Sequence, residues 1–216
     1  MSSSPGILDG DEYNLKIELD EGSSLQLQTQ SYQRLFCMKK GATQNIEVIM
    51  KKGSSLCYLP HPSVPHKAAD FVATNKIYLA EDCKLVWGEV LTCGRKLNGE
   101  AFEFTKFQNQ TEIFLNGRLV VKENLLIRPF VNNVNSIGQF EGYSHQASLI
   151  YIHSPANVNE LISAVNQLLA AQQDICFGVS ALPVRGITVR LLGHKAEQLY
   201  NCLQMVESLF AVKENA

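Results

Sequence analysis

The chain has 216 residues, of which 45% are apolar and 19% charged, with a formal net charge of −2. That length holds one sizeable core or two small ones, and the apolar share is too high for a disordered chain. The balanced charge argues against a nucleic-acid binder, no apolar run approaches the roughly 20 residues of a membrane span, and Met1 to Glu12 lack a secretory signal pattern, so a cytoplasmic protein is expected.

In chain order, the first signal is a repeat. Asn14–Leu25, Asn45–Leu56 and Asn75–Leu85 align as strand, polar turn, strand. The period of about 30 residues lies in the range of stacked architectures. Leu15, Ile17 and Leu19 alternate as a half-buried strand does. A weaker fourth unit spans Glu112–Val121, and its Asn116-Gly117 is a hairpin signal. One such unit cannot bury its own apolar face, but a stack can. The expected fold class is therefore mainly β: a layered, β-helix or solenoid-like body of stacked strands, with two C-terminal helices. An ordinary antiparallel sandwich is the alternative.

The six cysteines form no Cys-x-x-Cys pair, so reduced thiols are expected, most of them as small buried hydrophobes. Cys57, His61 and His66 are chemically able to ligate zinc or nickel. Their spacing matches no structural zinc pattern, and Pro60, Pro62 and Pro65 point to a stiffened loop instead.

The strand at 84–93 places Leu85, Trp87, Glu89, Leu91 and Cys93 on one face and Val86, Gly88, Val90 and Thr92 on the other. Both faces are largely apolar, so burial on both sides is expected. Glu89 then interrupts an apolar row. Glu123 does the same among Leu119, Val121, Leu125 and Ile127. A buried carboxylate is costly unless paired, hydrogen-bonded, hydrated or protonated. Arg95, in a glycine-flanked loop with Glu100, is the obvious partner for Glu89. Three readings stay open: a structural ion pair, a glycosidase-like pair using Glu89 and Glu100, and a polar, water-filled passage usable by a cation.

Further on, Leu161, Ile162, Val165, Leu168 and Leu169 mark a helix over 157–172, with Asn157 and Glu160 as its cap. Strands are expected at Ile175–Ala181 and Gly186–Leu192, and a second helix over 195–212 packs through Leu199, Leu203, Val206 and Phe210. The chain thus reads as a β-helix-like body over 1–152 and a β-α-β-β-α segment over 153–216, packed together as one unit.

These residues taken in order resemble the urease accessory proteins usually called UreD (UreH in some bacteria). Pro5, Gly6, Gly10 and Asp11 match a glycine-rich segment of that family, and Thr29, Gln30, Ser31 and Tyr32 match its Thr-Gln-Ser strand. Leu59-Pro60-His61-Pro62 is similar to its Leu-Pro-x-Pro turn, and Phe140 to Tyr143 to a later turn. The most distinctive match is Gly94-Arg95-x-x-x-Gly99-Glu100 after the acidic strand. The resemblance implies a non-enzymatic scaffold that binds apo-urease and UreF, and through UreF the GTPase UreG, in an accessory complex that can dimerise. It implies no tightly bound cofactor, with nickel in transit through a tunnel. Carried over by position, Asp11, Glu89, Arg95, Glu100 and Glu123 become candidates for that path. Family members carry some tens of residues before the Pro-Gly segment, so an edge left for a partner to cover is a further expectation.

Overall fold

The repeat is a coil of chain. A computed structural model describes residues 5–154 and 157–213. Strands β1 (Glu12–Leu19), β4 (Ala42–Met50), β7 (Asp70–Leu79) and β9 (Lys106–Leu115) lie side by side in parallel, and β10 (Arg118–Ile127) closes this five-stranded sheet antiparallel to β9. After corners that turn at Gly22, Gly53 and Asp82, each with positive φ, the chain crosses to a second sheet through β2 (Ser24–Leu27), β5 (Ser55–Tyr58) and β8 (Lys84–Thr92), again in parallel. Two short strands, β3 (Gln33–Leu35) and β6 (Ser63–Pro65), extend the coils. The pairing is that of stacked coils and replaces the antiparallel sandwich.

The sequence alignment is reproduced in the register at most positions. Asn14 pairs with Asn45, Leu25 with Leu56, and Leu56 with Leu85. One position differs: Asn45 pairs with Thr74, and Asn75 pairs with Ile46. The stretch from Thr74 to Leu85 is as long as that from Asn45 to Leu56, so the asparagine of the third unit lies one position later and Asn75 is a buried residue. The hairpin at Asn116-Gly117 forms as expected. Both residues take positive φ, 50° and 77°, the conformation a two-residue turn requires.

The second sheet continues antiparallel from β8 to β11 (His145–His153), β13 (Gly186–Gly193) and β12 (Ile175–Ala181). Helices α1 (Val158–Ala170) and α2 (Ala196–Lys213) cover its outer face. Asn157 caps α1, its side chain accepting from the Glu160 N–H at 3.5 Å. Leu199, Leu203, Val206 and Phe210 of α2 are buried against Val86, Val90 and Leu149. As expected, β8 is covered on both sides. Its Val86/Val90 face meets the helices, and its Leu85/Trp87 face meets the parallel sheet.

Between the sheets lie two apolar clusters. One centres on Ile17, Val48, Ile77, Ile113, Leu85 and Trp87. The other centres on Phe71, Phe104, Phe107, Leu91 and Phe140. The layer that separates them is polar, and it holds the site described next. The row expected on β10 is incomplete, because a register shift between Leu119 and Val121 turns Leu119 outward, to 44% exposure. A bulge of this kind displaces one side chain from the inner face.

Candidate functional site

Glu89 sits where its strand pattern placed it, in the inner row of β8 between Trp87 and Leu91. Its partner is not Arg95. Ser148 on β11, directly opposite in register, donates to Glu89 Oε1 at 3.2 Å. Asn109 on β9 donates from its Nδ2 to Glu89 Oε2 across the gap between the sheets. Asn109 in turn accepts from Asn75 Nδ2 at 2.8 Å, and the same Asn75 group reaches Thr111 Oγ1 at 3.0 Å. Asn75 and Thr111 are buried, so these bonds are what makes their burial tolerable.

Farther along the same layer, Gln33 Nε2 donates to Gln44 Oε1 at 2.9 Å, and Ser63 donates to Gln33 Oε1 at 2.9 Å. His61 is held by Thr29. Its backbone N–H donates to Thr29 Oγ1 at 2.8 Å, and its ring stacks on Tyr200 with centroids 4.7 Å apart. Gln33, Gln44, His61 and Ser63 line a narrow cavity of about 40 Å³ together with Asn75, Asn109 and Glu89.

A second, wider cavity of about 490 Å³ lies beside it. Glu89, Leu91 and Asn109 line both. The wider one opens past Glu123, Arg190, Ser148 and Cys176. Glu123 accepts from Arg190 Nη2 at 2.9 Å. The structure thus brings Glu89 and Glu123 to one cavity. Burial pushes the Glu89 carboxyl up to about 7, and the neighbouring Glu123 charge adds to the rise. The bonds from Ser148 and Asn109 and the Arg190 charge hold it back. Glu89 is therefore poised between its charged and neutral forms near neutral pH.

The other expected path residues lie elsewhere. Arg95 Nε donates to Glu100 Oε2 at 2.9 Å, and a second guanidinium nitrogen grips Glu100 Oε1, so these two pair with each other within their own loop. The arginine is taken by the carboxylate five residues away because the loop's tight turn brings their tips together. Neither residue lines the cavities that Glu89 lines. Asp11 accepts from the Leu8 N–H at 2.8 Å and closes an exposed turn. In that turn Gly10 donates to the Gly41 carbonyl, and Ile7, next to Gly6 and Pro5, bridges to Leu35. Its neighbour Asp9 receives the N–H groups of Lys39, Lys40 and Gly41, which holds its carboxyl below the usual range. Of the Thr29 to Tyr32 segment, Gln30, Ser31 and Tyr32 are exposed.

Cys57, His61 and His66 have separate surroundings. Burial pushes the Cys57 thiol up to about 12, and Glu207 adds to it. His66 is buried edge-on against Phe36 at 4.9 Å. Among the described residues no group of three or more His, Cys, Asp or Glu side chains is placed to hold a metal ion. All six cysteines are free; Cys83, Cys93 and Cys202 are buried, whereas Cys37 and Cys176 are exposed and Cys57 is half-buried. Glu89 and Glu100 do not face a common groove, and Trp87 is buried under Tyr58, with ring centroids 4.3 Å apart. A sugar-stacking surface is not assembled there.

Sequence reasoning missed Asn75, Asn109, Thr111 and Ser148. The signal that found Glu89 was present for three of them. Asn75 interrupts the inner row Phe71, Ala73, Ile77, Leu79, and Asn109 with Thr111 interrupts Phe107, Ile113, Leu115.

The stacked coils, the paired sheets and the polar layer between two apolar clusters define a layered β scaffold with a carboxylate-lined internal space. The comparison with known proteins makes this specific. The family model described as UreD urease accessory protein matches residues 1–214, and the chain belongs to that family. It is 45% identical to the urease accessory protein UreD of Flavobacterium johnsoniae, over 99% of this chain and 78% of that protein. It is 33% identical to the UreD of Acetivibrio thermocellus, over 97% of this chain and 80% of the relative. For the UreD of Actinobacillus pleuropneumoniae serotype 3 the figures are 34%, 100% and 82%. The family role is an accessory one in urease maturation rather than a catalytic one. Among the described residues no helix is long and apolar enough to cross a membrane.

Proposed function

We propose that this protein is a cytoplasmic scaffold that binds apo-urease together with a UreF-type accessory protein, and through it a UreG-type GTPase, and that nickel passes through its polar layer on the way to urease. The observation that carries the reading is that two cavities share Glu89, Leu91 and Asn109 as lining residues. Nickel is the cargo here, not a resident cofactor.

The chemistry of the lining suits transit. Amide oxygens, hydroxyls and single carboxylates bind a divalent ion less tightly than a histidine–thiolate set would, so the ion can move on. A carboxyl with its pKa at about 7 exchanges a proton for a cation at little cost, and an arriving ion releases the Glu89 proton. Arg190 offers Glu123 a counter-charge while the cavity holds no cation.

The test is complementation of a urease operon that lacks its own copy of this gene. Wild type should restore nickel-dependent urease activity. The double variant Glu89→Gln, Glu123→Gln should lower that activity while still co-purifying with apo-urease. Normal maturation by the double variant would leave a purely structural module in place of the passage. Failure of the wild type, with the protein folded, would remove the maturation role itself.

A further inference from the structure

The loop from Gly94 to Glu100 is built as a bracket. Gly94 takes φ +121°, and a Cβ there would lie 3.0 Å from the carbonyl oxygens of both Pro65 and Glu100. Arg95 clamps Glu100 with two guanidinium nitrogens. The Asn98 N–H donates to the Arg95 carbonyl at 2.8 Å, and the Gly99 N–H donates to the Lys96 carbonyl at 3.0 Å. From outside the loop, the Lys67 N–H donates to Glu100 Oε2 at 3.2 Å, and Lys96 Nζ donates to Ser144 Oγ at 3.3 Å.

What the bracket holds out is Leu97, 102% exposed. An apolar side chain kept in water contributes nothing to the core. Holding it rigidly there makes sense for an anchor whose ordering cost is met before a partner arrives. Beside Leu97 an open groove of about 710 Å³ runs along the start of α2, with Tyr32, His145 and Met205 in its lining. Gln198, Asn201 and Met205 border it at helical spacing, the ridge against which a second helix packs. Lys96 and Lys195 also line it, and neither makes an ion pair among the described residues; Glu197 is the opposing carboxylate. Burial pushes the His145 imidazole down to about 4, so it is neutral at physiological pH. On a chain with net charge −2 this groove has a local positive excess.

We propose that the groove between Leu97 and α2 is a docking surface for an acidic amphipathic helix of a partner protein, with Leu97 as its apolar anchor and Lys96 and Lys195 as its charged rim. An apolar anchor between basic rims is the pattern by which helix-in-groove sites select their ligands. The groove shares no lining residue with the Glu89 cavity, so this surface stands or falls apart from the nickel path. It also gives the Gly94-Arg95-x-x-x-Gly99-Glu100 motif a purpose, as a brace.

The experiment is fluorescence anisotropy on the full chain. The probes are a fluorescein-labelled helical peptide of roughly 20 residues, with leucines on one face and glutamates elsewhere, and a matched peptide with lysines in place of the glutamates. The acidic peptide should bind saturably and weaken with added salt, and the basic peptide should not bind. Leu97→Ser, and separately Lys195→Glu, should each weaken binding by about tenfold. Both side chains are exposed, so the melting temperature should stay near wild type. Absent or equal binding of the two peptides, or variants that bind like wild type, would overturn the proposal. So would affinity for phosphatidylserine vesicles without affinity for the acidic peptide.

Discussion

Asn109 ties Glu89 to the facing sheet, donating to its carboxylate from Nδ2 while accepting from Asn75 through Oδ1 at 2.8 Å. One neutral amide therefore satisfies two groups that the apolar clusters on either side could not. The direction of the amide is fixed at both ends, because Asn75 is a donor to it and the ionised Glu89 can only accept.

Replacing Asn109 by leucine should be costly for this reason. The leucine fits the neighbouring apolar rows, but Asn75 loses one acceptor and Glu89 loses its donor from β9. Asn75 keeps Thr111 as an acceptor, but Glu89 Oε2 is left without a donor, which costs about 1–3 kcal/mol. Urea denaturation should show a lower midpoint with an unchanged slope. A second replacement, Asn109→Asp, should be worse at pH 8 than at pH 5, because it adds a third carboxylate beside Glu89 and Glu123.

The raised pKa of Glu89 makes a signed prediction. Its folded value of about 7 lies above the ordinary 4.5, so the folded state holds this proton more tightly than the unfolded state. That contribution to stability is complete below pH 4.5 and is lost as the pH rises through about 7. At pH 8 the loss is on the order of 3 kcal/mol. Glu89→Gln removes the dependence. The variant should gain on wild type as the pH rises from 5 to 8, as read by denaturation at each pH. A wild-type stability that climbs over that interval while the variant stays flat would reverse the assignment.

Glu89 shows how far one strand can be read alone. Its row, Leu85 to Leu91, is local, and alternation makes its buried side chain visible in the sequence. The stacking register was legible for the same reason, since the turns at Gly22 and Gly53 recur with the strands they join. Its partners were not legible. Ser148 and Asn109 come from strands paired across long loops, and no local pattern says which strands face each other. Arg95 misled because sequence nearness to β8 suggested Glu89, whereas the tight turn of its loop delivers it to Glu100. Asn75 was misplaced by one position because matching asparagine to asparagine forced a gap, whereas the strands pair without one and set Thr74 beside Asn45.

Gly94 offers a test of the brace. Alanine there meets two backbone oxygens at 3.0 Å and must hold φ +121°. Backbone oxygens cannot step aside as a side chain can. Gly94→Ala should cost about 2 kcal/mol and lower the melting temperature by roughly 5 °C. Gly99→Ala should be milder: that glycine has φ +83° but no atom within 4 Å of its missing Cβ. Calorimetry of the two variants separates strain from crowding.

The thiols give a direct probe of the cavity. Cys37 and Cys176 are exposed, whereas Cys83, Cys93 and Cys202 are buried. Cys57 is half-buried, and a thiol with its pKa at about 12 holds almost no thiolate at pH 8. Ellman's reagent on the native protein should therefore report two fast thiols, and six after unfolding. Cys37→Ser should leave one fast thiol, Cys176, which lines the wide cavity with Glu123 and Arg190. Maleimide-coupled polyethylene glycol added to this variant then places a polymer at that cavity alone. A passage through the cavity requires urease maturation to fall, with the same label on a Cys176→Ser protein leaving it unchanged. Equal activity in both labelled proteins, with labelling complete, would mean that the ion does not travel past Glu123.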